Sequence, residues 1–249
     1  LKSMTAKRDY LRDEGKPRKL TTRDVLGREW DILQISKDGV GQYRPFNAEH
    51  IAADSLDEEQ RHAVERILRS ADFLTLFRGA AGTGKSFALR EVLRGLETAG
   101  HAVHVIAPQR QQVIDLEAAG FAGTQTVSEF LTRKSMLSGG VVIVDETGQL
   151  GAKQMQALLG YVKESGGRII CSGDTRQHGA VEASDALRAI EKYSGLKAAE
   201  LTAIRRQDPA RAKTSGERSF IEQYKLAVQE ASAGLAAESF ERLERQGAV

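Results

Sequence analysis

A glycine-rich stretch at residues 79–86, with the sequence GAAGTGKS, restricts the possible folds of this chain more than any other segment. It follows an apolar run at residues 73–77 and precedes residues 88–96, whose apolar positions have helical spacing. This is the P-loop pattern in the strand, loop and helix context that it requires. A glycine-rich turn that matches by chance does not explain that context. We therefore predict a strand that ends in a phosphate-binding loop and continues into a helix.

The residue types of this loop suit a nucleotide phosphate. Glycines lack a β-carbon, so backbone N–H groups can converge on phosphate oxygens at the positive end of the following helix. Lys85 adds a positive charge for the β- and γ-phosphates, and the Ser86 hydroxyl suits Mg²⁺, which prefers oxygen ligands. The predicted ATP-binding residues of the loop are Gly79, Gly82, Thr83, Gly84, Lys85 and Ser86.

Two carboxylates follow a second apolar run, residues 141–144. Its four β-branched residues predict a buried strand that brings Asp145 and Glu146 to the carboxyl edge of the sheet, where ligand sites occur. We predict that Asp145 holds Mg²⁺, directly or through water, and that Glu146 orients and deprotonates the attacking water. The alternative is that both acids only favour the N-terminus of a helix. The P-loop upstream favours the hydrolytic interpretation.

A third apolar run, residues 168–171, ends in the polar loop GDTRQ at residues 173–177. Gln177 is our candidate for sensing the γ-phosphate. A Gly-Asp pair also occurs in ordinary turns. The position of this loop, one strand and helix after Asp145, supports the functional interpretation.

The arrangement of apolar segments predicts the fold class. After residue 56, short apolar runs at 73–77, 103–107, 141–144 and 168–171 alternate with longer helical patterns, which indicates an α/β domain with a central, mostly parallel sheet. We expect three parts: an N-terminal accessory region at 1–55, the ATPase domain at 56–207 and C-terminal helices at 208–249.

The N-terminal region contains one amphipathic stretch, residues 22–35, which predicts a helix capped by Thr21 or Thr22. Glycine and proline between residues 37 and 45 predict a turn or a short hairpin. Trp30 lies on the predicted helix, and we expect it in the core rather than in a base-stacking site.

Composition adds weaker constraints. The formal net charge is +2, so a DNA-binding surface would have to be local. The single cysteine excludes an internal disulfide framework and fits a reducing compartment, from which we expect a cytoplasmic location. No apolar run approaches the roughly 20 residues of a transmembrane helix, so we expect no membrane segment.

In order and spacing, the motifs resemble superfamily 1 DNA helicases of the RecD-like branch, which includes the helicase region of MobF-type conjugative relaxases. LDEEQ at residues 56–60 is similar to the family's Q motif, which implies that Gln60 recognises adenine; the alternative is a simple N-capped amphipathic helix. LTAIRRQ at residues 201–207 looks like the motif with a γ-phosphate arginine. Arg206 is the candidate and Arg205 stays open, because a shift of one residue redirects the side chain.

The resemblance implies a RecA-like P-loop NTPase domain, the first motor lobe, with single-stranded DNA as its partner. VIAPQ at residues 105–109 and TQTVSEFL at residues 124–131 resemble the family's DNA-contacting motifs, and LTTRDVL at residues 20–26 is similar to the stretch before the helicase core in MobF-type proteins. Backbone phosphates rather than bases are the expected targets, since only 6% of residues are aromatic. The implied DNA contacts are Pro108, Gln109, Arg110, Thr124, Thr126 and His178.

Two features of the family are missing from the sequence pattern. We find no histidine cluster with a nearby tyrosine pair, as in the DNA-nicking relaxase domain, and no motifs of a second lobe with its arginine finger. We expect an ATP-dependent helicase fragment that moves 5′ to 3′ on single-stranded DNA in conjugative transfer, with the relaxase domain and the second lobe as partners in the full-length protein. The residues from 208 onward would be the helical start of a truncated second lobe. Hydrolysis by the isolated fragment should be nearly absent, since an arginine finger contributes about 10³- to 10⁵-fold in rate.

Two other functions stay open at this point. One is a non-catalytic module of a larger relaxase that binds single-stranded DNA or docks a partner. The other is a P-loop kinase or nucleotide switch, which would leave the order of the four motifs unexplained.

Overall fold

A six-stranded sheet is the centre of the fold in the computed structural model, which describes residues 10–12, 20–80, 82–134, 139–173, 186–203, 214–232 and 234–246. A separate antiparallel pair, β1 and β2, precedes it. The predicted α/β class with a central parallel sheet is confirmed. The strands are β1 (Tyr10–Arg12), β2 (Leu20–Thr22), β3 (Leu74–Gly79), β4 (Val103–Ala107), β5 (Gln125–Thr126), β6 (Val141–Val144), β7 (Arg168–Gly173) and β8 (Ala199–Leu201).

The order of strands in the sheet is β5-β4-β6-β7-β3-β8. The pairs β3–β7, β6–β7, β4–β6 and β4–β5 are parallel. All residues of β6 and β7 are buried, which explains their continuous apolar sequences. In this order, β7 lies between the strand that precedes the P-loop and the strand that precedes Asp145.

Helices connect and cover the strands. Several begin at a side-chain cap: Asp57 and Gln60 form a capping box at the second helix, and Thr126 and Glu129 form one at the fifth. The helices are α1 (Arg23–Asp38), α2 (Glu58–Leu68), α3 (Lys85–Thr98), α4 (Arg110–Ala118), α5 (Val127–Arg133), α6 (Ala152–Glu164), α7 (Ala186–Tyr193), α8 (Ser215–Ser232) and α9 (Ala236–Arg245).

The N-terminal helix is part of the main core. The predicted helix at residues 22–35 is confirmed as α1, which packs against α6 and α7 and buries Ile32 completely. The prediction that Trp30 lies in the core is wrong: the side chain is 63% exposed. Helical spacing explains the difference, because Trp30 and Ile32 are two positions apart and point to different sides of the helix. Residues 39–45 form a turn rather than a hairpin.

A buried arginine joins the start of β7 to the segment before α2 and to the loop between α2 and β3. Arg168 donates to the carbonyl oxygens of Asp72 at 2.9 Å, Arg44 at 2.8 Å and Ser70 at 2.8 Å. Its guanidinium carbon lies 3.4 Å from the centre of the Phe46 ring. Burial lowers the pKa of Arg168 to about 10, so the side chain stays charged at neutral pH. These contacts fix the edge of the sheet opposite to the predicted site.

The chain divides into two compact units, one made of residues 1–78 and 86–200, the other of residues 79–85 and 201–249. These bounds differ from the predicted divisions at residues 55 and 207, because α1 shares its core with α6 and α7. In the second unit, α8 and α9 pack against each other, and Arg242 on α9 donates to Glu230 at 2.9 Å and to Gln223 at 2.6 Å on α8. Among the described residues, no helix is long and apolar enough to cross a membrane.

Candidate nucleotide and DNA site

The carboxyl ends of four strands bring the predicted site residues of the first unit to one edge of the sheet. The register pairs Ala107 with Thr126, Ile106 with Val144, Val144 with Cys171 and Phe77 with Ser172. The residues at or just after the ends of these strands therefore lie in a row: Thr126, Pro108, Asp145 and Gly173. In parallel sheets of this kind, ligands bind at this edge.

Asp145 is held by hydrogen bonds on two sides. Its backbone N–H donates to the carbonyl oxygen of Ile106 at 2.9 Å, and its Oδ1 accepts a hydrogen bond of 2.9 Å from the hydroxyl of Ser172. Asp145 is 8% exposed, and Ser172 is fully buried. The neighbouring strand thus orients the carboxylate, which is the arrangement expected for a metal ligand supported by a second polar group.

Glu146 has a strained backbone. Its φ of 51° and ψ of 39° lie in the left-handed region, which costs a non-glycine residue about 1 to 2 kcal/mol. The turn Thr147–Gln149 that follows holds it there: the Thr147 hydroxyl donates to Val144 at 3.0 Å, and the Gln149 N–H donates to the Glu146 carbonyl oxygen at 3.0 Å. Strain of this kind occurs at functional sites, where the surrounding structure keeps a side chain in a required direction.

Gly173 allows this turn to approach β7. A β-carbon on Gly173 would stand 3.4 Å from the backbone nitrogens of Thr147 and Gly148. Beside it, Cys171 is 1% exposed, and burial raises the pKa of its thiol to about 12. The end of β7 is therefore tightly packed against the turn that carries Glu146.

The P-loop belongs to the second unit. Gly82 and Gly84 both have a φ of 80°, which favours glycine, and the Thr83 hydroxyl donates to the carbonyl oxygen of Ala80 at 2.8 Å. A β-carbon on Gly79 would stand 2.8 Å from the Thr83 hydroxyl oxygen. Gly82 and Gly84 thus occupy backbone conformations that favour glycine, and phosphate binding by the loop stays a prediction. Lys85 and Ser86 are half-buried at the start of α3.

Gln60 has a clear role in the fold. It is 4% exposed; its side-chain oxygen accepts from the N–H of Asp57 at 3.3 Å, and its own N–H donates to Asp57 at 3.0 Å. The simple alternative, an N-capped amphipathic helix, describes this geometry. Adenine recognition by Gln60 stays a prediction.

Arg78, the residue before the P-loop, binds two glutamates. It contacts Glu191 on α7 at 2.9 Å and Glu200 on β8 at 3.2 Å. These residues line a cleft of about 730 Å³ that also includes His62, Arg66 and Lys197. Ion pairs therefore join the end of β3 to α7 and to β8.

The predicted DNA-contacting residues divide into exposed and buried ones. Gln109 and Arg110 are exposed and Pro108 is half-buried where β4 ends and α4 begins. Thr126 is half-buried, and its hydroxyl donates to Glu129 at 2.9 Å. This hydroxyl and the N–H of Thr126 lower the pKa of Glu129, and nearby Arg110 and Arg133 add to the effect.

Thr124 differs from these residues. It is 7% exposed, and its hydroxyl donates to the carbonyl oxygen of Val113 at 3.4 Å. The structure gives Thr124 a packing position, which does not favour the predicted DNA contact. Gln177, His178, Arg205 and Arg206 lie outside the described residues, so their predicted roles stay predictions.

Sequence reasoning missed three polar residues at this edge. Ser172 orients Asp145, Arg78 anchors the end of β3, and Gln149 binds two glutamines at the start of α4. Polar residues at the end of an otherwise apolar strand were the available signal for Ser172 and Arg78. Gln149 follows a turn whose geometry no local pattern predicts.

Comparisons with known proteins show the family to which this chain is similar. Residues 55–249 match a family described as "AAA domain". The chain is 27% identical over 203 residues to the probable conjugal transfer protein TraA of Sinorhizobium fredii. The matched segment covers 77% of this chain and 18% of that protein. It is 28% identical over 169 residues to the multifunctional conjugation protein TraI of Escherichia coli. This match covers 63% of this chain and 10% of TraI.

A third relative is the ATP-dependent DNA helicase PIF1 of Trypanosoma brucei brucei. It is 26% identical over 146 residues, which covers 54% of this chain and 16% of that protein. This chain thus spans less than a fifth of the length of each of the three relatives.

Proposed function

Because this chain belongs to the AAA-domain family, we propose that it binds ATP with Mg²⁺ and hydrolyses it as the motor of a DNA helicase. The observation that carries the proposal is the pairing of an oriented carboxylate, Asp145, with a strained one, Glu146, at the ligand-binding edge of the sheet. One acid is enough to bind a metal, and the second supplies what hydrolysis needs in addition.

ATP phosphates are the expected ligands of the P-loop. Glycines at positions 79, 82 and 84 place no β-carbon in the way of a phosphate, and Lys85 supplies the positive charge. Gln60 would contact the adenine, in addition to its role at the start of α2.

The oxygen donors present fit Mg²⁺. Ser86 offers a hydroxyl. Asp145 offers a carboxylate, and a hydrogen bond from Ser172 fixes the direction of that carboxylate. Mg²⁺ binds to one or two such protein groups together with phosphate oxygens and water. When bound, it supplies charge stabilisation for the transferred phosphoryl group.

Hydrolysis requires a positioned water molecule. Glu146 accepts a proton from this water molecule. The left-handed backbone conformation of Glu146 fixes the position from which its side chain extends. Gln177 senses the γ-phosphate, and Arg206, or Arg205, stabilises its charge. A second motor lobe would add the arginine finger of the full-length protein.

Single-stranded DNA is the proposed track, with movement from 5′ to 3′. The exposed loop before α4 offers Gln109 and Arg110 to backbone phosphates, next to Pro108 and Thr126. The two relatives named as conjugation proteins support a role in conjugative DNA transfer, with a relaxase domain as the partner in the full-length protein. The cytoplasm is the proposed location.

Nucleotide and DNA binding by this chain test the proposal. We expect a fluorescent ATP analogue with Mg²⁺ to bind the wild type and to bind Lys85→Ala at least about tenfold more weakly, since a charged contact is lost. Lys163→Ala is the matched control, because Lys163 is exposed and lies 4.0 Å from Asp38, away from the P-loop in the sequence. Equal nucleotide affinities of the wild type and Lys85→Ala would reject the P-loop assignment.

DNA-stimulated hydrolysis distinguishes the alternatives. Binding of labelled oligo-dT should weaken with salt, and Arg110→Ala should reduce both affinity and salt dependence relative to Arg69→Ala. ATP turnover that rises with oligo-dT supports a motor. The other outcome is DNA binding without ATP turnover, even after the second lobe with its arginine finger is supplied. That outcome supports the non-catalytic DNA-binding module instead.

A further inference from the structure

Three glutamines connect the turn that carries Glu146 to the loop that faces DNA. The side-chain oxygen of Gln149 accepts hydrogen bonds from Nε2 of Gln109 at 3.0 Å and Nε2 of Gln112 at 2.8 Å. We call these three residues the glutamine cluster. An amide oxygen has two lone pairs, so the side-chain oxygen of Gln149 is saturated by the two donors.

One end of the cluster reaches the hydrolytic side. The backbone N–H of Gln149 donates to the Glu146 carbonyl oxygen at 3.0 Å, which closes the turn that holds Glu146 in its left-handed conformation. A displacement of Gln149 therefore acts directly on the backbone of Glu146. A strained conformation persists only where the surrounding contacts hold it, so the conformation of Glu146 depends on this hydrogen bond.

The other end of the cluster reaches the proposed DNA loop. Gln109 lies between Pro108 and Arg110, and its backbone N–H donates to Oε1 of Gln112 at 3.0 Å. Side chain and backbone of Gln109 are thus both held by the cluster. A DNA phosphate that draws Gln109 or Arg110 outward must break these hydrogen bonds or pull Gln149 with them, because hydrogen bonds weaken steeply with distance and angle.

From this geometry we infer that Gln149 is a positioning residue that couples DNA contact at residues 108–110 to the orientation of Glu146. The inference rests on the proposed function, because it assumes a nucleotide beside Glu146 and single-stranded DNA at the loop. The main-chain bond from Asp145 to Ile106 also joins β6 to β4, but it lies within the sheet and involves neither Glu146 nor Gln109. Gln149 is the side chain through which the two loops touch in the described part of the chain.

Coupling of this kind is measurable as binding linkage. If DNA and nucleotide influence each other, each changes the affinity of the other by the same factor. We would measure the affinity of the 249-residue chain for labelled oligo-dT with and without a non-hydrolysable ATP analogue and Mg²⁺. We expect a change of roughly five- to twentyfold in the wild type. We expect less than about a twofold change in Gln149→Leu, which keeps the shape and loses both acceptor bonds, while each ligand alone binds as before.

Three further variants separate coupling from a structural defect. Gln149→Glu keeps an acceptor oxygen for both donors and should restore the linkage. Gln112→Leu removes one donor from the other side, and its effect should not add to that of Gln149→Leu, because both remove the same bond. Gln111→Leu is the matched control on the same helix, since Gln111 binds only Asp115, at 3.0 Å, and should keep the full linkage.

The outcomes distinguish this inference from the proposed function. Full linkage in Gln149→Leu overturns the inference and leaves the proposed function intact. A wild type that binds both ligands without linkage has the same two consequences. A wild type that binds neither ligand overturns both. If Gln149→Leu fails to fold by circular dichroism, Gln149→Met decides, because methionine also removes the amide oxygen that accepts from Gln109 and Gln112. Linkage that survives in Gln149→Met overturns the inference.

Discussion

Ser172 donates a hydrogen bond from its hydroxyl to Oδ1 of Asp145, over 2.9 Å between the adjacent ends of β7 and β6. Both residues are buried, and the strand that carries Ser172 also pairs with the strand before the P-loop. The direction of the proposed metal ligand is thus set by a residue outside the motif to which Asp145 belongs.

Ser172→Ala tests this support. Ser172→Ala removes one hydrogen bond that orients the Asp145 carboxylate, so we expect the apparent affinity for Mg²⁺ to fall about tenfold, as for other groups that orient a metal ligand. Mg²⁺ titration of bound fluorescent nucleotide measures this. Ser165→Ala is the control, because the Ser165 hydroxyl donates only to Tyr161 in a surface turn. An unchanged Mg²⁺ titration would mean that Asp145 needs no such support.

Gly82→Ala tests the conformation of the P-loop. At a φ of 80°, a side chain costs about 1 to 2 kcal/mol, and the loop relieves this cost by changing its backbone. We expect nucleotide affinity to fall at least about tenfold. Gly123→Ala introduces a side chain at a φ of 67° with no atom within 4 Å, so it should lower the melting temperature without weakening nucleotide binding. Equal effects of both variants on nucleotide affinity would contradict the prediction.

Arg168→Met tests the buried arginine. Methionine fills much of the same volume but leaves the carbonyl oxygens of Asp72, Arg44 and Ser70 without their charged donor. We expect the free energy of unfolding to fall by about 2 to 4 kcal/mol in urea. Arg69→Met should change it by less than about 0.5 kcal/mol, because Arg69 is exposed and lies 3.6 Å from Glu65. A loss for Arg168→Met as small as that of the control would show that water replaces the guanidinium at no cost.

Glu91 predicts a pH dependence of stability. Burial alone would raise its pKa, but hydrogen bonds from Arg94, His50 and the N–H of Ala53 lower it to about 2. Because the pKa is lower in the folded state than the ordinary 4.5, the carboxylate stabilises the fold above pH 4.5, and this contribution is lost as the pH falls toward 2. After screening by solvent, we expect it to reach about 1 to 2 kcal/mol.

Glu91→Gln measures that contribution. The difference in unfolding free energy between wild type and variant should be constant near neutral pH and shrink below pH 4.5. Glu97→Gln, at an exposed position of the same helix, is the control. A difference between wild type and Glu91→Gln that does not change with pH would show that shape, not charge, determines the effect.

The sequence predicted the sheet well because its strands are buried on both faces. The apolar runs at 73–77, 103–107, 141–144 and 168–171 are confirmed as β3, β4, β6 and β7, and the match to the AAA-domain family together with the named relatives confirms the family resemblance. The short strands β5 and β8 were not predicted. With two and three residues, they have too few side chains for a periodic pattern, and only pairing with their neighbours defines them.

The sequence predicts the motifs of the site but not the residues that hold the motif side chains in place. Local spacing indicates Lys85 and Asp145, because their chemistry depends on a short loop and a strand end. The partners of Asp145 and Gln109 come from other elements, Ser172 on β7 and Gln149 after β6, and only the register of the sheet brings them together. Trp30 was misplaced for a related reason: the partners of α1 decide which of its apolar positions face the core.

Cys171 is the only thiol of the chain, and it lies in the middle strand between β6 and β3. The thiolate is the form that attacks an alkylating reagent, and burial suppresses it here by raising the pKa of the thiol to about 12. Alkylation of the native protein therefore proceeds only when β7 separates from its neighbours. The rate of that reaction, with no label introduced, measures how often the sheet opens directly beneath Ser172 and Asp145, and bound nucleotide should slow it.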